Sequence, residues 1–540
     1  MTMARIGLLL LWVVGISVAA PPSEEERARV EAALPAQNLP AERHLLIFTG
    51  CRGYVHESIP IGAWAITRMG EVTGAWQAEV RDDPAVFSDL SGYDGVLMLS
   101  TTGTLFTEAA WQDELVRFVE GGGGLVGIHA AADCFYDWPA YGDMLGGWFD
   151  GHPWHQEVEI EIEEPEHPVM QAFAGADTFE VTDEIYQFRD PYSRGRNRVL
   201  ARLAPWALDL SRAGIRRSDG DFAVSWVRRQ GRGRIFYTSL GHRSEIYWNP
   251  VVLRHYADGI RFALGDLEAD SVSSAARYGG MSADDAAETL HGWSPEDGRA
   301  VLRPVEEAIR TALHGDDQAP MRAALLAVAN DEEAHLDVRR LALYRLRWFD
   351  DAAAVSAGLR PLLADTILGE TAHDVIAWQQ RGIGFVTTWS IAGPYESEGV
   401  TGAGLMSVRF GPEEMTGGWQ PLDEGMVDPP GVVDFGRIFG GENRCAYLRT
   451  VIRSKSVRSV ELRVGSDDGC RVWFNGNTVL MRDVQRGHRL EEDRVEIVLK
   501  PGVNMVMMKV TQGGGGWQAS CRVVPMDGRG LEGIEFAPSL

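Results

Sequence analysis

From His44 to about Asp270, short apolar runs alternate with stretches of helical spacing. His44 to Phe48 is one run, ending at Thr49-Gly50, and Gly95 to Ser100 is another. Leu125 to Ile128 is a third, entered through Gly121 to Gly124, and Arg234 to Leu240 is a fourth. Runs this short and this apolar suit strands covered on both faces of a parallel sheet. Between them, Ile59 to Met69, Thr107 to Glu120 and Pro250 to Leu264 carry the helical pattern. Thr107 is placed as an N-cap and Pro250 in a first helical turn. Strands alternating with helices of this length predict an open parallel α/β sheet. Glu157 to Glu163 departs from the pattern. Its strict alternation predicts a half-exposed strand, either an antiparallel edge or a flap.

The pattern then changes twice. From about Ser271 to Gly382 strand signals vanish, and apolar residues recur at helical spacing in Val301 to Leu313, Met321 to Ala329, Val338 to Trp348 and Val355 to Ile367. Helices joined by short polar turns predict an α-hairpin array over 271–382, similar to HEAT-type repeats. From Phe385 to the end, short strands follow: Val460 to Val464, Arg471 to Phe474, Val495 to Leu499 and Met505 to Val510. Asn475-Gly476 and Lys500-Pro501-Gly502 supply turns. This spacing predicts a β-sandwich over 385–540. Residues 21–42, rich in Pro, Ala, Glu and Arg, read as a linker with room for a short helix.

Composition narrows the function classes. A chain of 540 residues is too long for one core, in keeping with several domains. The formal net charge of −26 argues against nucleic acid and anionic membrane surfaces, which call for clustered Lys and Arg. A neutral ligand such as a sugar is compatible with it. Residues 1–20 read as a signal peptide: Arg5, the apolar run Ile6 to Val18, then Val18-Ala19-Ala20 before Pro21. That reading places the protein in the periplasm or outside the cell. An uncleaved anchor is the alternative, although the run is short for a membrane span. The five cysteines, Cys51, Cys134, Cys445, Cys470 and Cys521, form no disulfide framework. They leave room for one bridge among the last three.

Ligands of open α/β sheets bind beyond the carboxyl ends of the strands. There the sequence places His56 and Glu57 after the first strand, Thr102 after the second, His129 and Asp133 after the third, and His242 after the fourth. Gly127-Ile128-His129-Ala130-Ala131 has the small-residue pattern of a nucleophile elbow. An amidotransferase would need Cys at position 129 for thiolate attack. Imidazole there serves as a general base, a proton shuttle or a metal ligand.

With the surrounding motifs these residues resemble the ThuA-like (trehalose-utilisation) domains of the class I glutamine-amidotransferase-like superfamily. The first-loop motif Gly53 to Ile59 and the elbow Gly124 to Asp133 are similar to that family. So are His167-Pro168, Thr182 to Tyr186, and the run Gly231 to His242, in the family's order across residues 43–268. Tyr54-Val55 stands where the family commonly shows Phe-Arg. The resemblance implies a class I amidotransferase-like, flavodoxin-like fold without the glutaminase nucleophile, and a link to sugars. It gives a carbohydrate-processing protein acting on a sugar or oxidised (keto) sugar by hydrolysis or isomerisation, in which His129, Asp183, Glu184 and His242 transfer protons. His56, Thr102, Asp133, Tyr186 and Trp154 then contact substrate. The alternative is a non-catalytic carbohydrate-binding or scaffold protein. A glutaminase would have to use Cys51 or Cys134, neither at the elbow.

Two metal sites are expected beside these. His152 and His155, three apart, could join His129 and Glu184 around Zn²⁺, Mn²⁺ or another divalent ion. The other reading is that the His-Pro pairs fix loops. Asp467 and Asp468 could ligate Ca²⁺ through hard oxygens, or form an acidic turn before a strand. The aromatics Phe135, Tyr136, Trp138, Tyr141, Trp148, Phe149 and Trp154 offer flat faces to a sugar ring, or else pack the loops.

Overall fold

A computed structural model describes residues 21–36, 38–39, 41–210, 214–414 and 418–538. The expected signal sequence lies outside the described residues. Among those described, no helix is long and apolar enough to cross a membrane. The chain forms two compact units. One holds the described residues up to Asp209 together with Asp219–Asp317, and the other those of Leu210–Ser218 and Gln318–Leu540.

The first unit is built on a nine-stranded sheet: β1 (His44–Phe48), β2 (Gln77–Arg81), β3 (Gly95–Leu99), β4 (Gly124–Ile128), β5 (Trp154–Ile162), β6 (Thr178–Ile185), β7 (Arg198–Leu203), β8 (Ala223–Gln230) and β9 (Gly233–Thr238), in the spatial order β2-β1-β3-β4-β9-β8-β7-β5-β6. β2, β1, β3, β4 and β9 run parallel, as the apolar runs predict. β8, β7, β5 and β6 extend that sheet in antiparallel fashion. The sheet is therefore mixed. Its helices include α1 (Glu24–Ala33), α2 (Ile59–Thr73), α3 (Ala109–Glu120), α4 (Pro139–Leu145) and α5 (Pro250–Leu264). Pro250 opens α5, with Asn249 accepting from the Val251 and Val252 amides. α3 starts two residues later than its pattern suggests, with Glu108 rather than Thr107 at the N-cap.

β5 corrects the expectation of a half-exposed edge. It lies between β7 and β6, and its second half is buried, Glu161 included, as is Glu163 just after it. These two carboxylates face arginines rather than water. Arg202, fully buried, reaches Glu161 at 2.8 Å and Glu163 at 3.1 Å. Arg194 clamps Glu163 at 2.6 Å and Asp221 at 2.8 Å. Arg303, from the helix Arg303–Leu313, pairs with Glu161 at 2.7 Å and donates to the carbonyls of Ile162 and Glu163. Burial alone would raise the Glu163 carboxyl, but the charges of Arg194 and Arg202 hold it below its ordinary value. Buried charges survive only when paired in this way.

The second unit opens on the helices Ala319–Asn330, Leu336–Leu346, Ala352–Leu359 and Gly369–Gln380, followed by two antiparallel sheets of seven and five strands. Val355 to Ile367 is not one helix: after Leu359 it tightens into a 3₁₀ turn over Arg360–Ala364. Leu448 and Val472 of one sheet share a core with Val460, Leu462 and Val523 of the other, so the two sheets form a sandwich. Asn475 and Gly476 turn a hairpin with φ of 47° and 82°, the left-handed pair such a turn requires. All five cysteines are free. The anticipated bridge is absent because Cys470 and Cys521 pack as small apolar groups in the sandwich core, while Cys445 belongs to a separate cluster.

Two outcomes follow for the first unit. Arg202→Ala removes the buried guanidinium that Glu161 and Glu163 share, leaves them only Arg303 and Arg194 as buried partners, and costs about 3–5 kcal/mol in denaturant unfolding. A carboxylate held low in the fold contributes stability that is complete above its ordinary value of 4.5 and is lost as pH falls through the lowered one. Stability therefore drops between pH ~5 and ~2, less steeply in Glu163→Gln than in wild type.

Candidate functional site

The turn after β4 is the elbow its sequence suggests. His129 sits in left-handed conformation with φ of 52°, and Ala130, Ala131 and Ala132 are fully buried beneath it. The segment His129–Ala132 is a single 3₁₀ turn, and the next α-helix begins only at Pro139. The Tyr237 hydroxyl donates to the His129 carbonyl at 2.7 Å. The Ser239 carbonyl lies 2.7 Å from His129 Nδ1. A carbonyl can only accept, so the proton is on Nδ1 and the Nε2 lone pair points into the site. There the Tyr186 hydroxyl donates to it at 2.8 Å, and His56 Nε2 lies 3.2 Å away.

Two further groups complete the cluster. Glu184, near the end of β6, places Oε1 3.8 Å from His129 Nε2 and 3.4 Å from His242 Nδ1. His242 follows β9. One ligand atom from each of His56, His129, Glu184 and His242 lies within 4.8 Å of every other. Among the described residues this is the one group of three or more His, Cys, Asp or Glu side chains placed to share an ion. Zinc with ligands at about 2.0–2.1 Å places neighbouring donors about 3.3 Å apart in a tetrahedron. Two of the separations, 3.2 and 3.4 Å, match that spacing, while Glu184 to His129 is longer at 3.8 Å and the whole set lies within 4.8 Å.

Electrostatics keeps the His56 and His129 nitrogens available. Burial, with the neighbouring His56, holds His129 well below the usual imidazole range. Burial, then His242, lowers His56 to about 4. Burial also works to lower His242, but its hydrogen bond to Glu184 and the charges of Glu184 and Asp183 outweigh it and raise the group. Burial likewise pushes Glu184 up, but the His242 hydrogen bond and the facing histidines bring it below its ordinary value.

Adjacent residues on a strand point to opposite sides, so Asp183 turns away from the cluster. Its buried carboxylate accepts from the amides of Gly241 at 2.6 Å, His242 at 3.4 Å and Arg243 at 3.0 Å. It positions the loop that carries His242. Burial pushes its pKa up to about 6 against those amides. Gly241 is needed at φ of 141°, since a Cβ there would lie 2.9 Å from both Ile128 and the Tyr247 hydroxyl.

His152 and His155 flank the same carboxylate from the solvent side. Their Nδ1 atoms lie 3.3 and 3.8 Å from Glu184 Oε2, and both side chains are about half exposed. His155 pairs directly across from Glu184 in the β5–β6 ladder. Phe149 packs against Tyr186 and stacks on His152.

The other expected residues lie apart. The Thr102 hydroxyl accepts from Gly53 N and donates to the Tyr54 carbonyl, holding the first loop. Asp133 accepts from the Tyr136 hydroxyl. Trp154 is buried against Phe222, its indole N–H donating to the Asp209 carbonyl. Phe135, Trp138 and Tyr141 pack on one another. His167 caps a 3₁₀ turn and contacts the Asp270 carbonyl. Cys134 is fully buried, and burial pushes its thiol well above the usual range. In the second unit, Asp468 accepts from the amides of Arg486 and Gly513. Burial, then Asp468, pushes Asp467 up to about 6. Ser239, Tyr237 and Ser58, whose hydroxyl donates to the Gly241 carbonyl, were not singled out from sequence. They hold backbone and imidazole, a role no motif spells out.

The family described as ThuA, trehalose utilisation, matches residues 44–263. These residues are the ThuA domain of the chain. A ThuA-like protein from Bacteroides uniformis is 24% identical, over 41% of this chain and 91% of that one, with a TM-score of 0.34. One from Parabacteroides merdae is 16% identical, over 43% and 93%, with a TM-score of 0.33. A β-galactosidase from Bacillus circulans is 13% identical, over 44% and 33%, with a TM-score of 0.25. No curated protein matches the chain. The description of that family points to a sugar-related function.

Asp183→Ala leaves buried amides of the Gly241–Arg243 loop without acceptors. It lowers stability by about 1–3 kcal/mol, read as a fall in thermal midpoint. Asp183→Asn, which keeps one acceptor oxygen, loses less.

Proposed function

We propose that the ThuA domain binds a neutral sugar or oxidised sugar at the carboxyl edge of its sheet and transforms it by acid–base chemistry assisted by a divalent cation. The observation that supports this reading is the convergence of His56, His129, Glu184 and His242. Three imidazoles and one carboxylate suit a zinc-class ion, whereas calcium takes a shell of oxygens. Such an ion would supply Lewis acidity toward a sugar carbonyl or hydroxyl oxygen.

The remaining work falls to the chain's own groups. The Ser239 carbonyl fixes the His129 tautomer, and Asp183 holds the His242 loop, the outer-shell support that ligating histidines need. Roles thus exchange relative to the sequence-based expectation: His129, Glu184 and His242 ligate, while His152 and His155, open to solvent beside Glu184, donate and accept protons. Phe149 offers its ring beside Tyr186 and His152 to the apolar face of a sugar. The leader-like run Ile6 to Val18 supports a setting outside the cytoplasm.

Calorimetry of the metal-free chain with zinc chloride is expected to show one tight equivalent, weakened at least about 100-fold in His129→Ala and Glu184→Ala. His152→Ala and His155→Ala keep zinc affinity but lose turnover of keto-sugar or glycoside substrates by about 100-fold or more. Zinc binding that ignores Glu184, or turnover that survives full chelation, contradicts the assignment. Sugar binding without turnover leaves a carbohydrate-binding protein.

A further inference from the structure

Residues 21–42 read from sequence as a linker with room for a short helix, and α1 is a well-formed helix there. Ser23 caps it through a reciprocal bond with Glu26. Val30 is its only buried residue. Polar contacts hold the rest: Arg68 grips Glu31 at 2.6 Å, Arg27 lies over the Trp64 ring, and Arg29 lies over Trp248 at 5.3 Å. A helix with so little apolar burial adds little to the core. Its polar face is instead spent on a cleft.

That cleft, of about 660 Å³, is lined on one side by His155, His242, Ser58 and Tyr54, and on the other by Ser23, Glu25, Glu26 and Arg29 of the α1 segment. His242 belongs to the four-residue cluster and is its one member on the cavity wall, so the cavity reaches from the edge of the candidate ion site to the helix. Its size falls within the range of small-molecule sites. One hexose at protein-like packing density fills roughly 200 Å³, which leaves room for a second ring. Tyr54, 64% exposed, and Trp248 present aromatic faces. Glu25 and Arg29, paired at 2.6 Å and open to water, present the planar polar groups that bond sugar hydroxyls. Glu25, Glu26, Glu57 and Glu245 outnumber Arg29 and Arg243 along this wall, which disfavours a phosphorylated or acidic sugar.

We infer that α1 forms a second sugar subsite of the ThuA domain, so that the ligand is a neutral saccharide of at least two units, one ring at the histidine cluster and the next between Trp248, Glu25 and Arg29. This rests on the carbohydrate reading above but not on the presence of the ion. The test uses the full chain and calorimetry with glucose, glucose 6-phosphate, trehalose, maltose and cellobiose, with and without zinc chloride. It compares wild type, Glu25→Ala/Arg29→Ala and the single variant Arg29→Glu. All the changed side chains are exposed, so folding is preserved.

At least one disaccharide is expected to bind wild type about tenfold or more tighter than glucose, with glucose 6-phosphate weakest. Both variants lose that margin and keep the glucose and zinc affinities of wild type. Equal binding of glucose and disaccharides in wild type, or variants that bind the disaccharide unchanged, overturns the subsite and leaves the proposed function standing. Disaccharide binding that ignores zinc, yet falls in the variants, supports the subsite and removes the ion from the function. Zinc binding with no saccharide binding at all overturns both the subsite and the carbohydrate reading.

Discussion

The proton on His129 Nδ1 is held by the Ser239 carbonyl at 2.7 Å, and the rest of the site depends on that bond. It turns the Nε2 lone pair toward His56, Glu184 and Tyr186. It also ties the end of β4 to the residue that follows β9, the neighbouring parallel strand. The left-handed turn at His129 and the Tyr237 bond to its carbonyl leave the ring no other direction. A fully buried imidazole held neutral by its surroundings is a poor acyl nucleophile and a good ligand. The elbow after β4 offers a nitrogen lone pair rather than a nucleophile.

The antiparallel half of the sheet supplies what the parallel half lacks. β6 brings Glu184 to the histidines and Asp183 to the loop that carries His242, one residue for each side of the strand. β6 pairs with β5 alone in the sheet, so β5 must be rigid. The buried arginines that clamp Glu161 and Glu163 provide that rigidity about six residues along β5 from His155. Packing energetics and site geometry thus meet on one strand, with carboxylates anchoring one end and His155 facing the cleft at the other.

Four of the five parallel strands were legible because burial on both faces leaves uninterrupted apolar runs: β1 is His44 to Phe48 in pattern and in structure. The elbow was legible for the same reason, since small residues must surround a side chain pushed out of a tight turn. β7 and β8 were not read as strands because Arg198, Arg202 and Arg228 interrupt their apolar pattern. Those guanidinium groups are buried, each with an acceptor, an arrangement that only long-range pairing reveals. β2, a mixed-polarity edge strand, hid in the same way. Among site residues, His56, His129 and His242 could be named from their strand-end positions, and Glu184 through the family motif. Trp154 could not be separated from Trp248 by composition: the first is buried against Phe222 and the second lines the cleft. Which of His56, His152 and His155 joins His129 was set by the sheet order, which places β6 beside β5 at the far edge.

X-ray absorption at the zinc edge of the zinc-loaded full chain tests the central assignment most directly. Three imidazole nitrogens and one carboxylate oxygen at about 2.0–2.1 Å are predicted, with one imidazole lost in His56→Ala. A six-coordinate oxygen shell, or a spectrum unchanged by His56→Ala, would contradict it.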